Sequence, residues 1–452
     1  MEACHKGHLP IVARLIERGA DINTTNKKGN TPLSLSCYNG QIDIVNLLID
    51  KGCDIHKPDN NGVIPLMKAC LHEHLSIVAR LIEKGAEINT TDKHGDTPLS
   101  LSCDNGDIDI VNLLIDKGCD INISDYFGMT PLMKACRLGH LPIVVRLIEK
   151  GADINTTDKK GNTPLSLSCY NGQIDIVNLL IDKGCDIHKP DNNGMTPLMD
   201  ACLGRHLPIV VRLVERGADI NTTDKKGNTP LSLSCYNGQI DIVNLLIDKG
   251  CDIHKPDNNG MTPLMNACRG RHLPIVARLV ERGADINITD KHGNTPLSLS
   301  CDNGYMDIVN LLIDNGYIDI VNFLIDKGCD IHKPDNTGVT PLMKACRNGN
   351  LPIVVRLIKR GADINSTNKK GNTPLSLSCM NGYIDIANLL IDKGCDIHKP
   401  DNDGITPVMA SCDKGNLPIV ARLIKRELTL TLPTRKETLH CHCSVNMVTL
   451  IW

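Results

Sequence analysis

The tripeptide Thr-Pro-Leu recurs along this chain at a fixed interval, and no other feature of the sequence restricts the fold as strongly. It begins at Thr31, Thr97, Thr130, Thr163, Thr196, Thr229, Thr262, Thr295, Thr340 and Thr373, with Ile-Pro-Leu at Ile64 and Thr-Pro-Val at Thr406. The spacing is 33 residues except for 45 between Thr295 and Thr340, which makes twelve units and a partial one at the start. A chain of 452 residues would otherwise be divided into two or three globular domains, but a period of this size marks a repeat array. Two unit types alternate. One reads GNTPLSLSCYNGQIDIVNLLIDKGCDIHKPDN from Gly29, the other GMTPLMKACRLGHLPIVVRLIEKGADINTTDK from Gly128, so the true period is a pair of 66 residues.

Each unit carries its own folding signals. The Thr31 hydroxyl suits a helix N-cap, where it accepts a bond from a free backbone N–H. Pro32 follows at the first helical position, where its missing N–H costs nothing. Leu33 and Leu35 then lie on a short helix that ends by Asn39-Gly40. In the second helix Ile42, Val45 and Ile49 recur at helical spacing, as do Ile44 and Leu48, leaving Asp43, Asn46 and Asp50 as a narrow polar stripe. A helix apolar over most of its circumference is buried on both flanks and wet on one edge. In the other unit type Pro10 sits in the first turn of this helix, where proline is tolerated. Asp54 to Gly62, rich in Pro, Asp, Asn and Gly, reads as a turn between units. Two such short helices cannot offset the entropy of ordering their own residues by packing on each other alone. Neighbouring units supply the rest, and the units stack into an extended rod without a catalytic pocket.

Thr-Pro-Leu at a helix start, a Gly-bounded second helix and Gly-Ala-Asp-Ile-Asn (Gly19 to Asn23) at this period resemble ankyrin repeats, over residues 1 to about 426. The resemblance implies an all-α ankyrin-repeat solenoid of stacked helix-turn-helix units with protruding turns. Residues 1–28 read as a truncated N-terminal repeat, 29–426 as twelve repeats with an insertion at about 305–328, and 427–452 as a tail that is not a domain. Two departures stand out. The family's His after Thr-Pro-Leu is Ser34 in one type and Met67 in the other, and its Ala-Ala is Ser36-Cys37 or Ala69-Cys70. The Thr–His bonding typical of the family is therefore expected to be missing, with a less stable stack.

Three irregularities interrupt the array. Met1 to Cys4 aligns with Met67 to Cys70, so the chain starts inside a repeat, and its first helix, without a polar cap, is expected to fray; this reads as a piece of a longer array. Tyr305 to Gly316 is nearly copied by Tyr317 to Gly328, a tandem duplication. At ~100° per residue the insert would turn the apolar face by about 120°, so Asn315-Gly316 is expected to break the helix and leave an extra or bulged outer helix. The tail from Glu427 has no repeat. Codons can be chosen for Glu427 to Cys443 so that one added G restores GADINTTNKKGNTPLSL, identical to Gly19 through Leu35. The tail thus reads as an out-of-frame repeat, and Cys441-His442-Cys443 as no metal site.

Composition removes several functions. Net charge is -3 from 49 basic and 52 acidic residues, which gives no field for nucleic acid or an anionic membrane. Aromatics are 2%, too few for base stacking. No apolar run reaches the ~20 residues of a membrane span, and no secretory signal opens the chain. The 21 cysteines occupy fixed slots such as Cys37, Cys70, Cys103 and Cys136, or Cys53, Cys119 and Cys185. Stacked helices lie ~8–10 Å apart, beyond disulfide reach, so these read as small buried hydrophobes in a reducing, intracellular compartment, cytoplasm or nucleus. His56, His188, His254, His332 and His398 form a ladder too widely spaced to share a metal. Ser34 and Ser36 beside Cys37 have no consistent base. Lys27-Lys28, Lys159-Lys160, Lys225-Lys226 and Lys369-Lys370 are interrupted as a basic stripe by Asp59 and Asp191. Asp43 and Asp50 on one outer helix alternate with Arg14 and Arg18 on the other, a pattern assigned to solubility. No catalytic, cofactor or metal residue is expected, and no nucleic acid, membrane insertion or small-molecule substrate.

Proteins that resemble this one usually bind partners along the inter-unit turns and inner helices. The chain is accordingly expected to be a non-enzymatic scaffold for a protein partner. The alternatives are the targeting arm or a fragment of a larger multidomain protein or effector, or a decaying gene fragment. Most turns are near copies, but Asp125-Tyr126-Phe127 places two aromatics where sister turns carry Asn-Asn, and aromatics are enriched among interface hot spots. These three residues are the expected partner contacts.

Overall fold

A computed structural model describes residues 1–302 and 316–431. Among the described residues there are 26 helices and no strand. Contacts divide the chain into two units, Met1–Lys225 and Lys226–Trp452. In the first, inner helices such as Pro98–Asn105 and Pro131–Leu138 alternate with outer helices such as Ile108–Asp116 and Leu141–Glu149. The second repeats the scheme, as in Pro341–Arg347 with Leu351–Lys359 and Pro374–Asn381 with Ile384–Asp392. The expected all-α repeat solenoid is what these elements form.

The helices begin where the sequence places them. Thr163 caps Pro164–Asn171 by accepting the Ser166 N–H at 3.0 Å, and Ser166 Oγ returns the favour by accepting the Thr163 N–H at 2.9 Å. Ser34 does the same for Thr31. The serine that replaces the family's histidine therefore closes a reciprocal capping box. In the other unit type Thr130 only accepts the Met133 N–H, at 3.3 Å.

The core lies between units. Ile110, Val111 and Leu114 of an outer helix are 0% exposed. Ser102 and Ser168, one unit further along, lie beside the Cys70 and Cys136 thiols, and their hydroxyls donate to the Pro98 and Pro164 carbonyls. The serine and cysteine of the inner helix thus pack against neighbouring units. On the outer surface Arg80 pairs with Asp50 at 2.8 Å, Arg146 with Asp116 at 2.6 Å and Arg212 with Asp182 at 2.7 Å. In the second unit Arg278 pairs with Asp248 at 2.8 Å and Arg356 with Asp326 at 2.7 Å. Each pair joins an acidic-type outer helix to the basic-type helix that follows it.

The irregularities have the following structure. The first helix, expected to fray, is a formed turn at Glu2–His5 with Cys4 buried, although Met1 makes no side-chain cap bond. An outer helix starts at Gly316 and runs to Asp326, so the second of the duplicated segments takes the regular place: Ile320, Val321 and Leu324 are 0% exposed. The first copy, with the expected break at Asn315, falls mostly outside the described residues. The last helix, Leu417–Thr431, continues past Arg426 into the start of the tail; Cys441, His442 and Cys443 lie outside the described residues.

Replacing Ser166 with Ala leaves the buried Thr163 N–H without its acceptor. The variant is expected to lose about 1–2 kcal/mol, read as a lower urea midpoint than the parent chain.

Candidate partner-binding surface

Among the described residues the units end in a tight Asp-x-x-Gly turn, with Asn in place of Asp at Asn26 and Asn368. At Asp125 the carboxylate oxygen Oδ1 accepts the Phe127 and Met129 N–H groups, both at 2.9 Å, and the Gly128 N–H donates to the Asp125 carbonyl at 2.9 Å. Gly128 has φ +81°, and a Cβ there would come within 2.9 Å of the Lys159 backbone nitrogen of the next turn. Glycine is required both by conformation and by the closeness of that neighbour. The tips are tied to each other by single backbone hydrogen bonds: the Lys93 N–H donates to the Asn61 carbonyl at 2.9 Å, Tyr126 to His94 at 2.9 Å and Lys159 to Phe127 at 2.8 Å. Below the tips, Asn23, Asn89 and Asn155 accept the N–H of Asp54, Asp120 and Asp186 in the following turn, at 2.8 to 2.9 Å. In the second unit the ladder passes the duplicated segment unbroken, with Asn336 N–H on the His292 carbonyl at 2.9 Å and Asp330 N–H on Asn287 at 2.8 Å.

This geometry separates the three expected contact residues. Tyr126 and Phe127 are 62% and 69% exposed, with their backbones held on both sides by the ladder. Asp125 is different. Its side chain is 8% exposed and Oδ2 lies 3.5 Å from Lys134 Nζ. It has the same task as Asp59 and Asp191, which accept the same two N–H groups in their own turns. Asp125 organises the turn and is not presented beside the two aromatics.

The sequence reading missed a second set of exposed groups. Tyr38 and Tyr170 in the first unit, and Tyr236 and Met380 in the second, stand at the same inner-helix position and are 40 to 55% exposed. The signal was present, since this position directly follows Ser-Leu-Ser-Cys, but it is Asp104 or Asp302 in other units and so does not repeat. The Tyr38 ring packs against His72, centroids 4.0 Å apart. Between the tips and the inner helices runs a groove of about 740 Å³ lined in part by Lys27, Lys28, Leu35, Tyr38, Asp59 and Lys68.

Lys68, on the floor of this groove, reaches across to Asp59 with Nζ–Oδ2 at 2.6 Å. Lys134 contacts both Asp96 and Asp125 from the same position. In the next unit of this type the residue there is Asp200. Burial, reinforced by the Asp191 charge, raises the Asp200 carboxyl to about 8. Burial likewise pushes the Cys70 and Cys136 thiols up to about 12. The expected His ladder consists of turn residues: the His56 and His188 N–H groups donate to Asp54 and Asp186. Among the described residues no three His, Cys, Asp or Glu side chains converge as a metal site.

A family model described as ankyrin repeats in three copies matches residues 1–92, 52–125, 85–158, 143–224, 165–257, 231–320 and 313–401. No curated protein matches the chain.

Two outcomes are expected from these side chains. Asp200 keeps its proton to about pH 8 when folded but only to ~3.9 when unfolded. Between those values the folded state holds the extra proton, so stability from this group is fully present below about pH 4 and is lost as pH rises toward 8. Asp200→Asn should flatten that slope, seen as a smaller drop in thermal midpoint between pH 5 and pH 8, about two values inside this window. The Cys70 and Cys136 thiols, buried and held protonated, should resist Ellman's reagent in the native chain and react once urea unfolds it, as mass mapping of the labelled cysteines would record.

Proposed function

The chain belongs to the ankyrin repeat family, and from that premise we propose that it is a scaffold that binds a protein partner through its inter-unit turns and inner helices, with Tyr126 and Phe127 as anchors. The family is a non-catalytic interaction fold whose members serve in general as protein–protein interaction modules. The observation that carries the proposal is the pairing of a fixed backbone with free side chains at one tip. Ordering a flexible loop would subtract from affinity, and the bonds from Tyr126 to His94 and from Lys159 to Phe127 have already removed that freedom. Two large aromatics at this exposure are a rare surface feature for a chain with 2% aromatics.

The exposed Tyr38 and Tyr170 extend the same surface along the inner helices of the first unit. Such a surface suits an extended partner segment better than a small molecule, because its apolar groups are spread along the array rather than gathered in one enclosed cavity. No helix among the described residues is long and apolar enough to cross a membrane. The buried thiols Cys37, Cys70, Cys103 and Cys136 support a reducing compartment, cytoplasm or nucleus.

The test is a pull-down with the full chain followed by calorimetry on the partner recovered. Tyr126→Ala and Phe127→Ala are each expected to weaken binding by about 2 kcal/mol, roughly thirtyfold, with unchanged thermal midpoints because both side chains are exposed. Unchanged affinity in both variants would remove this turn from the interface.

A further inference from the structure

Where a tip is organised by an aspartate, an asparagine four residues on can hold that carboxylate. Asn162 Nδ2 donates to Asp158 Oδ2 at 2.8 Å, and in the second unit Asn294 Nδ2 donates to Asp290 Oδ2 at 2.9 Å. The same position is also met by a lysine of the following repeat. Lys344 Nζ donates to Asn294 Oδ1, and in the first unit Lys134 contacts Asp96, which holds that position there.

At the first tip both contacts are gone. Asn26 replaces the aspartate. Its Oδ1 still accepts the Lys28 and Asn30 N–H groups, at 2.9 and 3.0 Å, but it brings no carboxylate. Lys68, the counterpart of Lys134 and Lys344, reaches only Asp59, at 2.6 Å. Asn30 is 9% exposed, and among the described residues its side-chain amide has no hydrogen-bond partner. A buried amide without a partner is costly, and the cost falls when an acceptor enters beside it. There is room for one, because Asn30 lines the groove of about 740 Å³ between the tips and the inner helices.

The charge of the groove selects what enters. Lys27 and Lys28 line it, are exposed and, among the described residues, meet no carboxylate. Asp59 is the one acidic residue among those lining it, and it is spent: Oδ1 accepts the Asn61 and Val63 N–H groups and Oδ2 holds Lys68. Leu35 and Tyr38 add an apolar wall, suited to the aliphatic stem of a side chain. A nucleic acid would need the cations to continue along the array, but the next tip carries the neutral Asn60 and Asn61.

We propose that this groove takes up a glutamate or aspartate side chain from an acidic, extended segment of a protein partner. Its carboxylate accepts from the Asn30 amide as Asp158 accepts from Asn162, and Lys27 and Lys28 meet the acids beside it. The inference rests on the reading of tips and inner helices as the partner surface and adds a charge requirement to it. The first tip, by losing its own carboxylate, has become a receptor for one from outside.

The experiment needs no identified partner. The probe is a fluorescein-labelled peptide, Glu-Glu-Leu-Glu-Glu-Leu, and the control has Gln in place of each Glu. The full chain is labelled with 15N-asparagine, and the Asn30 side-chain signal is assigned by its loss in Asn30→Asp. The glutamate peptide is expected to shift that signal and the glutamine peptide to leave it in place. Asn30→Asp puts the carboxylate of the sister residue Asp96 into the groove and is expected to weaken the glutamate peptide by about tenfold, read by fluorescence anisotropy. Lys27→Gln/Lys28→Gln, which alters only exposed side chains, is expected to weaken it as well. Lys159→Gln/Lys160→Gln, the same basic pair beside an asparagine already bonded to Asp158, should leave it unchanged. An unmoved Asn30 signal, equal affinity for the glutamine peptide, equal loss in the two lysine-pair variants, or full displacement by inorganic phosphate at the peptide's own concentration would each overturn the proposal. Because this readout does not involve Tyr126 or Phe127, failure of the groove and failure of the tip anchors are told apart.

Discussion

Each unit completes the burial of its apolar faces only against the unit beside it, and the rest of the structure depends on that exchange. Helices of seven to nine residues are too short to persist alone in water. The start of the chain displays what the neighbour contributes. Ile11 and Leu15 of the helix Leu9–Glu17 are 52% and 47% exposed, whereas Ile77 and Leu81, at the same positions one pair further on, are 0% exposed. The small residues of the inner helices belong to the same logic. Ser36 and Cys37 allow close approach, and the serine hydroxyl finds its acceptor inside its own helix, at the Pro32 carbonyl. No polar group of that contact is left for chemistry, so the recurring serine–cysteine pair is packing material.

Much of this fold was legible because its determinants are local. Thr31 as a cap, Pro32 at the first helical position, the apolar stripe of Ile42–Asp50 and the glycine after each tip are all decided within a few residues. What escaped was decided across units. Ser34 read as a missing histidine, yet it supplies the returning half of the capping box. Asp125 read as a companion of Tyr126 and Phe127, but its bonds to Phe127, Met129 and Lys134 make it part of the turn. The aromatic pair itself was legible because it broke a near-perfect pattern. Nothing in the sequence singles out Lys68 and Lys134, since the carboxylates they meet are brought near only by folding.

The tips combine two properties that a binding surface needs and that loops seldom have together. Their backbones are fixed, by the Asp/Asn-x-x-Gly turn within the unit and by backbone hydrogen bonds to neighbouring tips. At one tip the central side chains Tyr126 and Phe127 are exposed, whereas Asn60 and Asn192 each add a side-chain bond to the preceding tip, at the Lys27 and Lys159 carbonyls. Sequence can therefore drift at Tyr126 and Phe127 or at Lys159 and Lys160 without touching the core. The duplicated segment makes the same point on a larger scale: the bond from Asn336 to His292 has the length of its sisters although the residues it joins are further apart in the chain.

The outer-surface arginines have a consequence for how such an array can change length. Arg80 meets Asp50, Arg146 meets Asp116 and Arg278 meets Asp248, always from a basic-type helix back to the acidic one before it. Where the acidic-type helix carries Asp50 the basic-type helix carries Glu83, and where the basic type carries Arg80 the acidic type carries Leu47. Joining two basic-type units therefore keeps an acid opposite the arginine, whereas joining two acidic-type units leaves the aspartate facing leucine. Because these charges are exposed, each lost pair would cost under about 1 kcal/mol, a bias rather than a barrier. Even steps in copy number thus keep every pair, an odd step loses one only where two acidic-type units meet, and the pairwise character of the sequence is what such a bias would favour through repeated recombination.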